Sequence, residues 1–289
     1  MKLIGENWGC MRSIAFITTC KGRLHHLKQT LPRFVSCAPD EIVVVDYGCP
    51  DGSGAWVEEN FPDVQVLRVT DDPYFCLSRA RNNGAAIVDS EWLCFIDADM
   101  LVESEWVAWM RESLQDGCFY RVEEIEGDRD RNAWGTCICP RSAFQALGGY
   151  DEVMRGWGGE DDDLYLRLRS FGLVEREFPA RFASGIPHGD EERTAFYENK
   201  NRFVQQDVNR CYMEIKRLLG ECQGGTDTVL LRQIFETLSR ELPAQRGNGS
   251  GAWTARISLE TRQGKMDFEL GKKRRFLFFG PRKFFLVSK

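Results

Sequence analysis

Long apolar runs, CxxC pairs and histidines are scarce in this chain of 289 residues. No apolar run approaches the ~18–20 residues of a membrane-spanning helix. Met1 to Arg12, with Glu6, Asn7 and Trp8, lacks the apolar stretch of a secretory leader. Eleven cysteines are an odd number, and none stands in a CxxC pair. Cys137 and Cys139 are two apart, so on a strand they face the same way, which suits packing as readily as a bridge. The chain therefore reads as reduced and cytoplasmic; a lumenal domain separated from its anchor is the other compartment compatible with these features. A glycine-rich basic phosphate loop is also missing after the first apolar run, where Lys21-Gly22-Arg23 is only a thin version of one.

What is present suffices for a core. Hydrophobic residues make up 43% of the chain and aromatics 12%, at a net charge of −6, which excludes whole-chain disorder. Charge is unevenly placed. Residues 271–289 carry seven basic side chains, including Lys272, Lys273, Arg274 and Arg275, and no acid. Without them the first 270 residues hold 31 basic against 44 acidic residues, a net of −13, which is ill suited to nucleic acid. The tail is also rich in phenylalanine, from Phe276 to Phe285. Two readings stay open for it: peripheral contact with anionic lipid on the inner membrane face, or a final strand with solvated lysines and arginines.

Strand and helix patterns alternate over the first two hundred residues. Ser13–Thr18, Glu41–Asp46, Val64–Val69 and Trp92–Ile96 are apolar runs, and the second has consecutive β-branched residues without alternation, as in a strand buried on both faces. Leu24, Leu27, Leu31 and Phe34 recur at helical spacing, and Cys76–Val88 and Glu103–Gln115 also read as helices. Further on, Gly117–Ile125, Ala133–Cys139 and Phe182–Ile186 read as strands, and Asp161–Phe171 as a helix. Residues 191–242 are mostly helical, 247–251 a linker, and a hairpin is centred on Gly264. Repeated βα units predict an α/β fold: a mixed, mainly parallel sheet with helices on both faces, then a helical extension and a short hairpin. We expect a catalytic domain over 1–200, with halves 12–100 and 101–200, and an extension over 201–289.

Ligands in such sheets sit at the carboxyl ends of the strands, which makes Thr18, Thr19, Asp46, Asp97 and Asp99 neighbours. Asp97-Ala98-Asp99 offers two carboxylates, the hard oxygen ligands that Mn²⁺ or Mg²⁺ takes, although acids also simply solvate strand ends. Asp46 suits a nucleobase N–H or the cap of the turn after it. Arg79, Arg81 and Asn82 suit diphosphate oxygens or a solvated basic face. Trp157-Gly-Gly-Glu-Asp-Asp-Asp163 places an aromatic plate on a mobile loop beside four acids, more than a helix dipole needs. That arrangement suits a sugar ring. Of three histidines, His25 and His26 are expected at the surface, and His188 at a strand end is free to reach a metal.

These residues together resemble nucleotide-sugar glycosyltransferases of the GT-A fold, over roughly 12–200. Val43–Asp46 with Pro50–Ser53, Ala80–Gly84 and Phe95–Asp99 resemble the family 2 type. Gly148–Asp151, Trp157–Asp163 and the following Leu164–Leu168 resemble the carboxyl module of β-1,4-galactosyltransferases and chondroitin-polymerase-like enzymes. The resemblance implies that Thr18, Thr19 and Asp46 hold uracil, that Arg81 faces the nucleotide, and that Asp97 meets the ribose or metal. It implies that Asp99 and His188 ligate Mn²⁺, that Asp161 is the catalytic base, and that Trp157, Gly159, Glu160 and Asp162 contact acceptor and donor sugar. The implied activity is inverting transfer of a hexose or N-acetylhexosamine from a UDP-sugar to a hydroxyl of a glycan or lipid-linked glycan. Two other classes compete: a nucleotidyltransferase acting on sugar phosphates, which would want the phosphate loop missing here, and a non-catalytic sugar-binding module, which would not need both Asp99 and Asp161.

Overall fold

In the computed structural model, residues 12–223, 227–247, 251–261, 264–272 and 284–287 are described. They cluster into two units: one runs through Tyr150 and resumes at Leu164–Pro187, and the other is Asp151–Asp163 with the chain from His188 onward.

The first unit is built on a seven-stranded sheet. Its strands are β1 (Ile14–Cys20), β2 (Glu41–Asp46), β3 (Gln65–Arg68), β4 (Trp92–Phe95), β6 (Cys118–Val122), β9 (Cys137–Pro140) and β10 (Val174–Phe178). The order across the sheet is β10-β6-β9-β4-β1-β2-β3. β1, β2, β3 and β4 are mutually parallel; β9 runs antiparallel to both β4 and β6, and β10 is parallel to β6. β5 (Met100–Val102) pairs with β11 (Ala183–Gly185) beside the sheet, and β7 (Glu124–Ile125) with β8 (Asp128–Arg129) forms a small hairpin.

The α/β expectation holds, and the pleat explains its two layers. Ile14, Phe16 and Cys20 point to one face, packed with Leu27, Leu31 and Phe34 of α1 (Leu24–Ser36), Val57 of α2 (Ser53–Asn60) and Trp106 and Met110 of α4 (Trp106–Ser113). Ala15 and Ile17 point to the other. There they meet Ala80 and Ala85 of α3 (Leu77–Ala86), Phe144 of α5 (Arg141–Ala146), and Leu164, Tyr165 and Leu168 of α6 (Glu160–Ser170). Each fully buried aliphatic or aromatic side chain contributes about 1.5–3 kcal/mol.

β10 escapes a periodicity reading. Its inner residues Glu175, Arg176 and Glu177 are charged because it is an edge strand, where charge discourages further pairing. Glu175 is ion-paired with Arg121, Arg129 and Arg169.

The second unit contains α7 (Asp190–Thr194), α8 (Arg202–Gln223), α9 (Thr228–Arg246) and an antiparallel sheet of β12 (Trp253–Thr261), β13 (Gly264–Lys272) and β14 (Phe284–Val287). Tyr212, Ile215, Leu238, Leu242, Ile257 and Leu270 form its core. The expected hairpin is there, longer than anticipated and joined by a third strand from the phenylalanine-rich tail. Lys272 is neither solvated nor open to lipid: it is buried, with Nζ 3.0 Å from Asp207 Oδ1. Asp207 also accepts from Arg246 at 2.7 Å and from Trp253 Nε1 at 3.1 Å. Lys273 to Lys283 lie outside the described residues, as does the linker's 248–250 segment.

Candidate active site

In the first unit, the carboxyl ends of β2 and β4 carry the expected acids. β1 extends to Cys20, so Thr18 and Thr19 lie inside the strand rather than ending it. Thr18 pairs with Val44 and is buried, and its hydroxyl has no hydrogen-bond partner among the described residues. Asp46 does end β2. Its Oδ1 accepts from the Cys49 N–H and its Oδ2 from the Gly54 N–H, both at 2.7 Å, so it caps the turn into α2.

Asp97, Ala98 and Asp99 form a tight turn between β4 and β5. The Met100 N–H donates to the Asp97 carbonyl, the Thr30 hydroxyl to the Ala98 carbonyl at 2.8 Å, and the Ile186 N–H to the Asp99 carbonyl at 2.7 Å. Each side chain meets a guanidinium. Arg81 Nη2 is 2.7 Å from Asp97 Oδ1, and Arg23 Nη1 is 2.7 Å from Asp99 Oδ2. A solvated basic face is thereby excluded for Arg81, whose side chain is 1% exposed. Its Nη1 donates to the Tyr150 hydroxyl at 2.9 Å, its Nη2 also reaches the Gly135 carbonyl, and the Tyr150 ring lies 5.2 Å away. Arg79, two residues earlier, instead pairs with Asp71 at the surface.

In the second unit, the acidic motif opens α6. Glu160 and Asp163 are buried, whereas Asp161 and Asp162 are half-buried. The distinction follows from helical geometry, since residues three apart share a face. Asp163 Oδ1 accepts from Lys216 Nζ at 2.9 Å. The same ammonium reaches Asp151 Oδ2 at 2.7 Å, and the Tyr212 hydroxyl donates to that oxygen at 2.8 Å. Burial pushes the Asp151 carboxyl up, but the Lys216 charge and the hydrogen bonds from Lys216, Tyr212 and the Val153 N–H outweigh it, so its pKa lies below the ordinary value.

The Trp157 loop is tied down rather than loose. Its N–H donates to the Gln205 side-chain carbonyl, Asn209 Nδ2 donates to the Gly158 carbonyl at 2.7 Å, and the Arg202 guanidinium lies 5.6 Å from the Trp157 ring. Gly156, with φ +82°, abuts the Gln205 amide, and Gly159, with φ +103°, abuts Asn209 and Met213. A side chain at either position would be strained by the left-handed backbone, and at Gly156 its Cβ would also collide with Gln205 Oε1. Gln205, Asn209, Tyr212 and Lys216 all lie on α8, beyond the stretch the family resemblance covers. Their one signal in the sequence is a spacing of three or four residues on one face of a long amphipathic helix.

His188 stands before α7, its Nδ1 3.3 Å from the Gly189 carbonyl and 4.0 Å from a Glu192 carboxylate oxygen. A carbonyl or carboxylate at one ring nitrogen is the arrangement that leaves the other basic enough for a metal. Of the other two histidines, His25 is exposed as expected but His26 is buried.

Asp97 and Asp99 offer oxygen donors of the kind a hard divalent cation takes. A carboxylate has about four lone-pair sites, so a guanidinium on one oxygen does not exhaust it. Asp97 remains about one-third exposed (34%) beside its arginine. Carboxylate oxygens are ligands that Mn²⁺ and Mg²⁺ accept.

With this arrangement in view, likeness to known proteins bears on the fold. A family model described as the N-terminal domain of galactosyltransferase matches residues 124–188, a span that takes in the acidic motif and ends on His188. The fold is that of GT-A glycosyltransferases. TarS 1–349 of S. aureus, in complex with UDP-GlcNAc, has a TM-score of 0.55 at 14% identity, covering 78% of this chain and 72% of that one. The mannosyltransferase PcManGT of Pyrobaculum calidifontis, in complex with GDP-Man and Mn²⁺, has a TM-score of 0.53 at 15% identity, covering 78% and 68%. No curated protein sequence matches the chain. Among the described residues, no helix is long and apolar enough to cross a membrane.

Proposed function

We propose that this protein is a divalent-metal-dependent, inverting glycosyltransferase that moves a hexose or N-acetylhexosamine from a UDP-sugar to a glycan hydroxyl. The observation that carries the reading is the split within Glu160–Asp163: two acids are buried and two stay half-open at a helix start, inside the family-model match. Asp161 is the base. The helix N-terminus favours its carboxylate, which takes the proton of the incoming hydroxyl as oxygen attacks the anomeric carbon. Direct displacement with a single such base inverts that centre.

Asp97 and Asp99 would hold the metal, Mn²⁺ or Mg²⁺, with His188 as the further ligand that the family resemblance implies; the metal would supply Lewis-acid stabilisation of the departing nucleoside diphosphate. Arg81 keeps Asp97 in position, and Arg23 does so for Asp99. Asp46 orders the turn that borders the nucleobase, beside Thr18 and Thr19. Trp157, Gly159, Glu160 and Asp162 shape the sugar side, and a pinned tryptophan loop keeps water from the donor. The transferase body is 1–200, and 201–289 supports its tryptophan loop through α8.

The test is a panel of UDP-sugars with Mn²⁺ and glycan acceptors, read as UDP release. Release that requires acceptor and stops with EDTA supports the reading. Absence of release with every donor, while UDP still binds, would favour the sugar-binding module.

A further inference from the structure

Two thiols meet where β1 ends and the turn after β2 begins. Cys20 closes β1 opposite Asp46, and its Sγ lies 4.0 Å from that of Cys49. The Gly22 N–H donates to Cys49 Sγ at 3.1 Å, a contact that favours a thiolate there. Of the nine cysteines whose side chains are described, Cys49 alone is half-buried; the other eight are buried. One half-buried cysteine beside one fully buried cysteine is the arrangement of an attacking and a resolving cysteine.

We propose that Cys49 and Cys20 form a peroxide-sensitive dithiol site that closes reversibly to a disulfide. Cys49 is the nucleophile, and its ordinary value of 9.0 is drawn down to about 5 by the Cys20 thiol, with burial opposing and the Gly22 and Asp51 N–H groups assisting. Its sulfur takes one oxygen from hydrogen peroxide: an S–O bond forms, the O–O bond breaks, and the sulfenic acid retains one hydroxyl while the other leaves as water. Cys20 sulfur then attacks Cys49 sulfur. The S–S bond forms, the S–O bond breaks, and the Cys20 proton departs with the hydroxide as a second water. In balance, two thiols lose two electrons and two protons, and the peroxide is reduced to two waters. The sulfurs must approach by about 2 Å to reach bonding distance, a movement the turn 47–52 must supply.

The site has a consequence for the proposed donor pocket, and this part rests on that reading. The Cys49 N–H also donates to Asp46 Oδ1, so drawing Cys49 towards β1 displaces the group that orders the nucleobase side.

The experiment treats the full chain with hydrogen peroxide and follows intact mass, peptide linkage and UDP affinity. The expected result is a loss of about 2 Da that a dithiol reductant reverses, with Cys20 joined to Cys49 in the digest. In Cys20→Ser, Cys49 stops at a dimedone-reactive sulfenic acid; in Cys49→Ser, the loss disappears. Oxidised protein should bind UDP roughly tenfold more weakly than reduced. An unchanged mass, a bridge between other cysteines, or an undiminished mass loss in Cys49→Ser would overturn the proposal. If neither redox form binds UDP, the donor reading fails while the dithiol stands on its mass.

Discussion

At the end of β4 each aspartate meets its own guanidinium, Asp97 that of Arg81 and Asp99 that of Arg23. In residues 151–163 a single ammonium, Lys216, serves Asp151 and Asp163 together, while glycines and α8 amides hold the loop between them. The first arrangement follows β4, which is parallel to β1 and antiparallel to β9, and its turn is held by the Met100 and Ile186 N–H groups together with the Thr30 hydroxyl. The second lies outside any strand and depends on side chains from a helix about fifty residues later in the chain. Removing one side chain should therefore disturb the two regions differently, locally in the first and across the loop in the second.

The largest effect expected concerns chemistry, not packing. Asp161→Asn should lower kcat about a thousandfold, within the ~10²–10⁴ that a general base supplies, with UDP affinity unchanged. An Asp161→Asn enzyme with full kcat would remove that residue from the reaction. Asp163→Asn, by contrast, should act on stability, because that carboxylate is committed to Lys216.

Next is the comparison of two arginines. Arg81→Ala strips the cation from Asp97 and the donor from the Tyr150 hydroxyl. About 3 kcal/mol is expected, the low end for a broken buried pair because Asp97 is partly exposed. Arg79→Ala should shift the denaturant midpoint much less, since its close partner Asp71 is at the surface and Asp72, 3.7 Å away, keeps its hydrogen bond from the Tyr47 hydroxyl. Equal midpoints for the two variants would contradict the packing described for Arg81.

Lys216→Met should cost about 2–3 kcal/mol and be felt mainly in the second unit, seen as faster amide exchange in 151–163. It also has a pH signature. Asp151 is depressed when folded, so its contribution is fully present above the unfolded aspartate value near ~3.9 and is lost as pH falls through the lower folded value. Wild type should lose stability on that acid limb, and Lys216→Met should show a flatter one. A smaller effect, about 1–2 kcal/mol, is expected for Gly156→Ala, from left-handed backbone and the collision with Gln205. Faster amide exchange in 151–163 would report the displaced loop.

Much of this arrangement is legible in the order of the residues. Consecutive β-branched residues in Glu41–Asp46 and the helical spacing of Leu27, Leu31 and Phe34 are local signals, and the parallel strands and α1 lie where they predict. The acidic motif and the Asp97–Asp99 turn are legible for the same reason, as unusual compositions at the ends of apolar runs. β10 is not, because an edge strand has no apolar face to alternate. Lys272 reads as part of the solvated tail, since only a buried Asp207 distinguishes it from its basic neighbours.

Amino-acid order alone sets the layers of this protein, the strand ends that bear polar groups, and the cluster of acids at the start of α6, because each depends on neighbours within a turn or two. Only the folded chain settles which arginine holds which aspartate, which two of four acids are buried, that α8 restrains the tryptophan loop, and that Cys20 meets Cys49. Cys20 and Cys49 are 29 positions apart, and Arg23 and Asp99 are 76. Spacing along a chain carries no information about such contacts until parallel strands and packed helices bring their ends together.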